Sequence, residues 1–163
     1  MLFLLGAAAA LAQDSGWIQL EAALDEADHY CADIVGTDVE ADLDLQAHTC
    51  KPGPIEDQVF TIDAPRTGKI SLEDYGLCVA ADRIAEGASL FVTACARQPQ
   101  QRWVSTPAGQ IHPADDESLC WTVSQGRGED AGGGFLKRGL TLEACADFGA
   151  RYNTWILPDA IGR

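Results

Sequence analysis

The 163-residue chain has few basic residues and no long apolar run beyond its first dozen positions. Eleven Lys and Arg residues stand against 25 Asp and Glu, which gives a formal net charge of −14. Because a charge of this sign repels phosphate groups and anionic lipids, we expect no nucleic-acid partner and no membrane partner. The N-terminal apolar run "MLFLLGAAAALA" covers only residues 1–12, which is well short of the roughly 20 residues that a membrane-spanning helix needs.

This N-terminal run ends in the small-x-small sequence Ala10-Leu11-Ala12, which is typical of a signal-peptide cleavage site. We therefore expect a signal peptide over residues 1–12 and a mature domain over residues 13–163. The alternative is that the run forms a buried N-terminal helix or strand. Export predicts a secreted or periplasmic protein.

The sequence also lacks the motifs of common enzyme and metal sites. No two cysteines lie two to four residues apart, as the clustered ligands of structural zinc sites do. The acidic run "DVEADLD" has Leu43 and Thr49 where a calcium-binding EF-hand loop requires Gly and Glu. Gly-x-Ser-x-Gly, His-Glu-x-x-His and phosphate-loop motifs are absent. We expect no enzymatic activity, no bound metal and no cofactor.

Six cysteines divide the chain into three similar units, and in an exported protein they predict three disulfides. In each unit a Leu lies five residues before the second cysteine, and an aromatic residue follows that cysteine after 8 or 10 positions. These landmarks are Leu45, Leu90 and Leu140, and Phe60, Trp103 and Trp155. Of the fifteen possible pairings, the repeat favours Cys31–Cys50, Cys78–Cys95 and Cys120–Cys145. The third unit carries an insertion, "GRGEDAGGG", which we place in an exposed hairpin tip.

Most of the remaining sequence is typical of short strands. Stretches such as "GKISLED", "SLFVTAC" and "TWILP" mix β-branched, aromatic and aliphatic residues between turn-forming Gly, Pro and Asp. The segment "LEAALDEADHY" has helix-forming residues, but its counterparts in the other units do not, so we interpret it as a strand end and a turn. Three units are too few for a propeller. We expect them to bury their apolar faces together around one axis.

Three motifs together resemble the ricin B-type lectin domain: "CADI", "LQAHTC" and the series of Gln-x-aromatic triplets. The resemblance extends from about Trp17 to Leu157. It implies an all-β protein with the β-trefoil fold, in which three repeats have pseudo-threefold symmetry and one disulfide each. It also implies that the aromatic residue of each triplet packs in a shared core and that the Gln fixes the local backbone. The third repeat departs from this pattern because Asn153 takes the place of the Gln.

The same resemblance implies a shallow surface pocket for a glycan or simple sugar. In the first repeat it assigns the carboxylate to Asp33, an amide to Gln46, the flat platform to His48, and a closing polar pair to Asp57 and Gln58. The second repeat has Ala80 and Thr93 at the carboxylate and platform positions, and the third has Thr122 and Glu143. We therefore expect one carbohydrate-binding site, in the first repeat of a monomeric protein. The alternatives are a degenerate trefoil that acts as a protein-interaction module and, more weakly, a protease inhibitor.

Overall fold

The computed structural model of the protein describes residues 15–36, 38–53, 55–63 and 67–158. The predicted signal peptide at residues 1–12 lies outside this part of the chain. The strands are β1 (Ser15–Gly16), β2 (Gln19–Leu20), β3 (Tyr30–Ile34), β4 (Leu43–Thr49), β5 (Phe60–Asp63), β6 (Lys69–Leu72), β7 (Leu77–Ala81), β8 (Ala88–Ala94), β9 (Trp103–Ser105), β10 (Ile111–Pro113), β11 (Leu119–Val123), β12 (Glu129–Gly132), β13 (Phe135–Ala144) and β14 (Trp155–Ile156). Short 3-10 helices are η1 (Glu56–Gln58), η2 (Glu73–Tyr75), η3 (Pro99–Gln101) and η4 (Ala150–Tyr152). Within the described ranges, no helix is long and apolar enough to cross a membrane.

The three sequence repeats form three similar structural units. Each repeat has a central antiparallel hairpin that carries its disulfide: β3–β4, β7–β8 and β11–β13. Neighbouring repeats are joined by the pairs β5–β6 and β9–β10, and β14 returns to pair with β2. This closes the ring of repeats, since the end of the third contacts the start of the first. The predicted all-β, three-repeat architecture is confirmed.

The central hairpins also pair with one another in a cyclic order. In each repeat, the residue three positions before the second cysteine pairs with a residue in a hairpin strand of another repeat. These pairs are Ala47 with Arg138, Val92 with Leu43, and Leu142 with Ala88. Each hairpin therefore lies directly against the other two, and a residue of one repeat can line a pocket of the next.

The aromatic residues of the Gln-x-aromatic positions are buried at the centre, as predicted. Phe60 and Trp103 are fully buried and Trp155 is 2% exposed. The indole N–H of Trp103 donates to the Val79 carbonyl at 2.9 Å, and that of Trp155 donates to the Trp121 carbonyl at 3.1 Å. Trp121 joins these rings edge to face, with centroid distances of 5.3 Å to Trp103 and 6.4 Å to Trp155. Such contacts add stability beyond the burial of apolar area.

The three disulfides have the predicted sequential pairing, Cys31–Cys50, Cys78–Cys95 and Cys120–Cys145. A buried amide supports the second cysteine of each repeat. Gln58 accepts a hydrogen bond from the backbone N–H after Cys50 at 2.9 Å and donates to the carbonyl before it at 3.0 Å. Gln101 does the same around Cys95. The shorter Asn153 donates to the carbonyl of Cys145 at 3.2 Å, and its oxygen has no donor among the described residues.

Two local predictions from the sequence are also confirmed. The Gly-rich insertion of the third repeat forms the short hairpin β12–β13, and Gly133 and Gly134 lie exposed at its tip, both with positive φ. The segment "LEAALDEADHY" contains no helix; β2 ends within it and turns lead to β3. Here the positions of the turns follow the repeat, and the helix propensity of Ala, Leu and Glu is overridden by the tertiary structure.

Candidate functional site

One face of the sheet formed by β3, β4 and β13 carries polar side chains from two repeats. Asp33 pairs with Gln46 across β3 and β4, and His48 pairs with Lys137 across β4 and β13. Because side chains two residues apart on a strand point to the same side, these four side chains share one face. They border a cavity of about 370 Å³. The cavity is lined by Asp33, Val35, Gly36, Gln46, His48, Lys51, Ala131 and Lys137.

Asp33 lies at the floor of this cavity and is only 1% exposed, so the expectation of a surface carboxylate is wrong. The Gln46 side-chain amide donates to Oδ1 of Asp33 at 2.9 Å. The ammonium of Lys51 lies 2.8 Å from Oδ2 and also contacts Asp57. The packing of β3 against β4 buries Asp33, and these two contacts compensate part of the cost of burying its charge.

Lys51 is a residue of this site that the sequence motifs did not identify. Its side chain is 18% exposed and bridges Asp33 and Asp57. Burial disfavours the charged ammonium, but the two carboxylates outweigh this and raise the pKa of Lys51 above its ordinary value. The one feature of the sequence that could have identified Lys51 as a site residue is its position directly after Cys50. Because the ammonium covers Asp33, a ligand hydroxyl reaches that carboxylate only if Lys51 moves aside.

His48, the predicted platform, lines the cavity but is 7% exposed. Its Nδ1 lies 3.0 Å from the carbonyl of Thr49, so Nδ1 carries the proton that it donates. Its ring packs against Phe135 of the third-repeat hairpin, with a centroid distance of 5.6 Å and an angle of 56° between the ring planes. His48 therefore offers a ligand part of its ring, and the third-repeat hairpin covers the rest.

Asp57 and Gln58 are placed differently from the other predicted site residues. Asp57 is 7% exposed and is connected to the cavity through its contact with Lys51. Gln58 is fully buried, and both ends of its amide are bound to the backbone beside Cys50. The structure therefore brings Asp33, Gln46 and His48 together at the cavity, while Gln58 supports the backbone that carries Lys51.

A buried ionic network fixes the third-repeat hairpin against the first repeat. Arg138, which is 4% exposed, donates to Oδ1 of Asp25 at 2.5 Å and lies over the ring of Tyr30 at 5.1 Å. It also donates to the carbonyls of Ser124 and Gly126, at 2.8 Å each. Such multiple hydrogen bonds satisfy most of the guanidinium, which a buried Arg requires.

Asp25 is the acidic partner in this network and is about one third exposed. Desolvation opposes its ionisation, but hydrogen bonds from Arg138, from the backbone N–H of Gly128 and from the Tyr30 hydroxyl hold its pKa far below the ordinary range. Gly128 has no room for a side chain, since a Cβ there would overlap the Tyr30 hydroxyl and crowd Leu136. The network therefore holds the beginning of the insertion at a fixed distance from the first repeat.

The positions equivalent to Asp33 in the other two repeats carry no carboxylate. Ala80, at the Asp33 position of the second repeat, is buried. Thr122, at that position of the third repeat, is 1% exposed and donates its hydroxyl to the Cys120 carbonyl at 3.0 Å. Glu143, at the His48 position, accepts a hydrogen bond from Thr141 at 2.8 Å. Neither repeat reproduces the arrangement around Asp33.

Three interlocked hairpins around a shared aromatic core define the protein as a β-trefoil. The family model described as the ricin-type beta-trefoil lectin domain matches residues 20–155. The chain therefore belongs to the ricin-type β-trefoil lectin domain family. Comparison with curated protein sequences finds no significant match.

Solved structures with the same fold include the mdaA-1 domain and several lectin domains. The mdaA-1 domain is 16% identical with a TM-score of 0.64, over 86% of this chain and 88% of that one. The β-trefoil lectin of the Vibrio vulnificus haemolysin/cytolysin, with N-acetyl-D-lactosamine bound, is 16% identical with a TM-score of 0.60, over 90% and 94%. The C-half of the earthworm R-type lectin, in complex with GalNAc, is 17% identical with a TM-score of 0.59, over 88% and 96%. At these identities the similarity establishes the fold.

Proposed function

We propose that this domain is a non-catalytic carbohydrate-binding module of an exported protein, with one sugar site in the cavity of the first repeat. The observation that carries the proposal is the Asp33–Gln46 pair at the floor of that cavity, with its hydrogen bond of 2.9 Å. The cavity volume of about 370 Å³ is at the lower end of the range for small-ligand sites. A single sugar unit is therefore the ligand class that we assign to it.

The polar groups at the cavity match the hydrogen-bonding needs of a sugar, whose hydroxyls both donate and accept. The Lys51 ammonium has three N–H donors, and its two carboxylate partners leave at least one for a ligand oxygen. The side-chain oxygen of Gln46 is an acceptor for a ligand hydroxyl. Oδ2 of Asp33 is covered by the Lys51 ammonium at 2.8 Å, so it becomes a further acceptor for a ligand hydroxyl when Lys51 moves aside. The ring of His48 supplies an apolar surface beside these groups.

The first sugars to test are of the galactose type. The Vibrio vulnificus and earthworm structures contain N-acetyl-D-lactosamine and GalNAc. Both ligands include a galactose-type ring with adjacent hydroxyls, for which a carboxylate and an amide are suitable partners. Because the fold is similar, we propose that this domain binds the same class of sugar.

A second candidate function is a protein-interaction module without sugar binding. The observation that favours it is the contact of Lys51 with Asp33 and Asp57, which covers the carboxylate in the structure. A sugar must gain enough from its own hydrogen bonds to offset any displacement of this ammonium. The two functions therefore differ in whether any glycan binds to the cavity.

A glycan array probed with the mature protein tests the proposal. We expect binding to a set of galactose-containing glycans and its loss in Gln46→Ala. The matched control is Gln98→Ala, because Gln98 is exposed on the second repeat and its replacement should leave binding unchanged. If the wild type binds no glycan, the sugar-binding proposal is wrong and the protein-interaction module replaces it. Export is tested separately by N-terminal sequencing of the protein released from cells, which we expect to begin at Gln13.

A further inference from the structure

A second lysine, Lys137, lines the cavity of the first repeat, although it belongs to the third repeat. It lies on β13 opposite His48 and is one of the residues that line the cavity. Unlike Lys51, it forms no ion pair with any of the described residues. Its charge is therefore not neutralised by a carboxylate of the described residues and can attract an anionic group of a ligand.

The pseudo-threefold symmetry shows that this lysine is specific to one of the three pockets. Arg138, Leu43 and Ala88 hold equivalent places in the cyclic pairing of the hairpins. The residue equivalent to Lys137 is therefore the one that immediately precedes each of them. It is Lys137 beside the first-repeat pocket, Asp42 beside the second and Gly87 beside the third. The pocket that contains the Asp33–Gln46 pair is therefore also the one that receives a cation from its neighbour.

At the floor of this pocket one ammonium faces two carboxylates, so the floor has an excess of one negative charge. Lys51 faces two carboxylates, those of Asp33 and Asp57, so it offers a further anion little attraction. Lys137 lies on the same face of the sheet, two strands away from Asp33, on the hairpin that the Asp25–Arg138 pair fixes in place. A ligand that reaches all three residues presents hydroxyls to Asp33 and Gln46 and a negative group to Lys137.

We propose that the first-repeat pocket takes a pyranose that carries a carboxylate, and that this carboxylate pairs with Lys137. The inference rests on the proposed sugar-binding function and names the class of sugar. Ammonium–carboxylate hydrogen bonds are roughly twice as strong as neutral ones. A residue of the third-repeat strand β13 thus acts as a specificity element for a site in the first repeat.

Three opposing charges act against this pairing. The first is the excess carboxylate at the floor of the pocket, where Asp33 and Asp57 share one ammonium, so the ligand carboxylate has to lie at Lys137 with its hydroxyls toward Asp33. The net charge of −14 repels an anionic ligand at long range, but at physiological salt such repulsion is screened beyond about 8 Å. Glu129 lies opposite Lys137 in the β12–β13 pairing and is the nearest competing carboxylate in that register. It is exposed and lies beyond ion-pair distance of Lys137, so a ligand carboxylate in the cavity has the better access.

Calorimetric titration with galacturonic acid, its methyl ester and galactose tests the inference, because the ester keeps the shape of the acid but not its charge. We expect the wild type to bind the acid about five- to tenfold more tightly than the ester, as a partly exposed charged hydrogen bond allows. Lys137→Gln should remove this advantage, so that the variant binds the acid and the ester with equal affinity. Arg97→Gln, an exposed change of equal charge on the second repeat, should retain it. Glu129→Gln should increase it.

The possible outcomes separate this inference from the proposed function. Equal affinity for acid and ester, or an acid preference that survives in Lys137→Gln, overturns the role of Lys137 and leaves sugar binding in place. Failure of all three sugars overturns both. A parallel titration with N-acetylneuraminic acid identifies the source of the carboxylate: tighter binding than galacturonic acid, again dependent on Lys137, assigns a sialic acid, and the reverse order assigns a uronic acid.

Discussion

Lys51 Nζ lies 2.8 Å from Oδ2 of Asp33 and also contacts Asp57, so the residue that follows a disulfide cysteine joins two buried carboxylates. This contact determines both the stability and the accessibility of the first-repeat cavity. It compensates a charge that β3 carries into the interior, and it places an ammonium between that charge and any ligand.

Replacing Lys51 with Met should lower the free energy of unfolding by about 2–4 kcal/mol, because it leaves two buried carboxylates without their cation. The raised pKa fixes the sign of the pH dependence. The contribution of Lys51 is fully present below the unfolded-state pKa of about 10.4 and is lost as the pH rises through the higher folded-state pKa. Denaturant melts at pH 7 and above pH 10 measure both effects.

The matched control is Lys69→Met, since Lys69 is a partly buried lysine on β6 outside the cavity. We expect it to cost less than about 1 kcal/mol. Equal losses for the two variants would show that the Lys51 bridge contributes nothing of its own.

The amides beside the second cysteines give a graded prediction. Gln58→Ala and Gln101→Ala should each cost about 2–4 kcal/mol, because each leaves a backbone donor and a backbone acceptor unsatisfied. Asn153→Ala should cost about 1 kcal/mol, since Asn153 makes a single such bond of 3.2 Å. Urea melts of the three variants provide the comparison. A loss at Asn153 as large as that at Gln58 would contradict the assigned role.

Trp103→Ala should lower the free energy of unfolding by about 3–5 kcal/mol, because it leaves a large cavity in the core. Trp103→Phe should cost less, as the first repeat has Phe60 at the same position and buries it fully. The stability lost in Trp103→Phe includes that of the hydrogen bond from the indole N–H to the Val79 carbonyl. Guanidinium melts can measure both. A loss below about 1 kcal/mol for Trp103→Ala would be inconsistent with its central place.

Much of the fold could be predicted from the sequence because its landmarks repeat. The three cysteine pairs fix the hairpins, and the aromatic residues after them fix the core. The Gly-rich insertion is predictable for a local reason, since Gly133 and Gly134 adopt positive φ at the tip. Trp121 was not identified as a core residue, because it lies outside the Gln-x-aromatic positions and has no repeated counterpart of the same type.

The cavity itself was less predictable, because its parts come from distant segments. Asp33, Gln46 and His48 follow from motifs within one hairpin. Lys137 reaches the cavity only because the hairpins pair in a cyclic order, which no local pattern encodes. The direction of the Lys51 side chain depends on where η1 places Asp57, and this too is a property of the tertiary structure.

The Asp25–Arg138 pair predicts a specific dependence of stability on pH. The pKa of Asp25 is held below its unfolded value of about 3.9, so its contribution is present above that pH and is lost as the pH falls further. Asp25→Asn should cost about 1–3 kcal/mol at pH 7, a value reduced from that of a fully buried pair because Asp25 is one third exposed. Thermal melts between pH 7 and pH 2 should show this cost shrinking below about pH 4. Asp147→Asn, at an exposed position, is the control and should show no such trend.

The stoichiometry of sugar binding tests the central claim, that one of the three repeats keeps a functional site. Calorimetric titration of the mature protein with the sugar that binds best should give one site per chain. Asp33→Ala should abolish binding, while Thr122→Val at the equivalent position of the third repeat should leave it unchanged. Because Asp33 is buried, circular dichroism must first show that the variant is folded. Two or three sites per chain, or a folded Asp33→Ala variant that binds like the wild type, would contradict the single-site account.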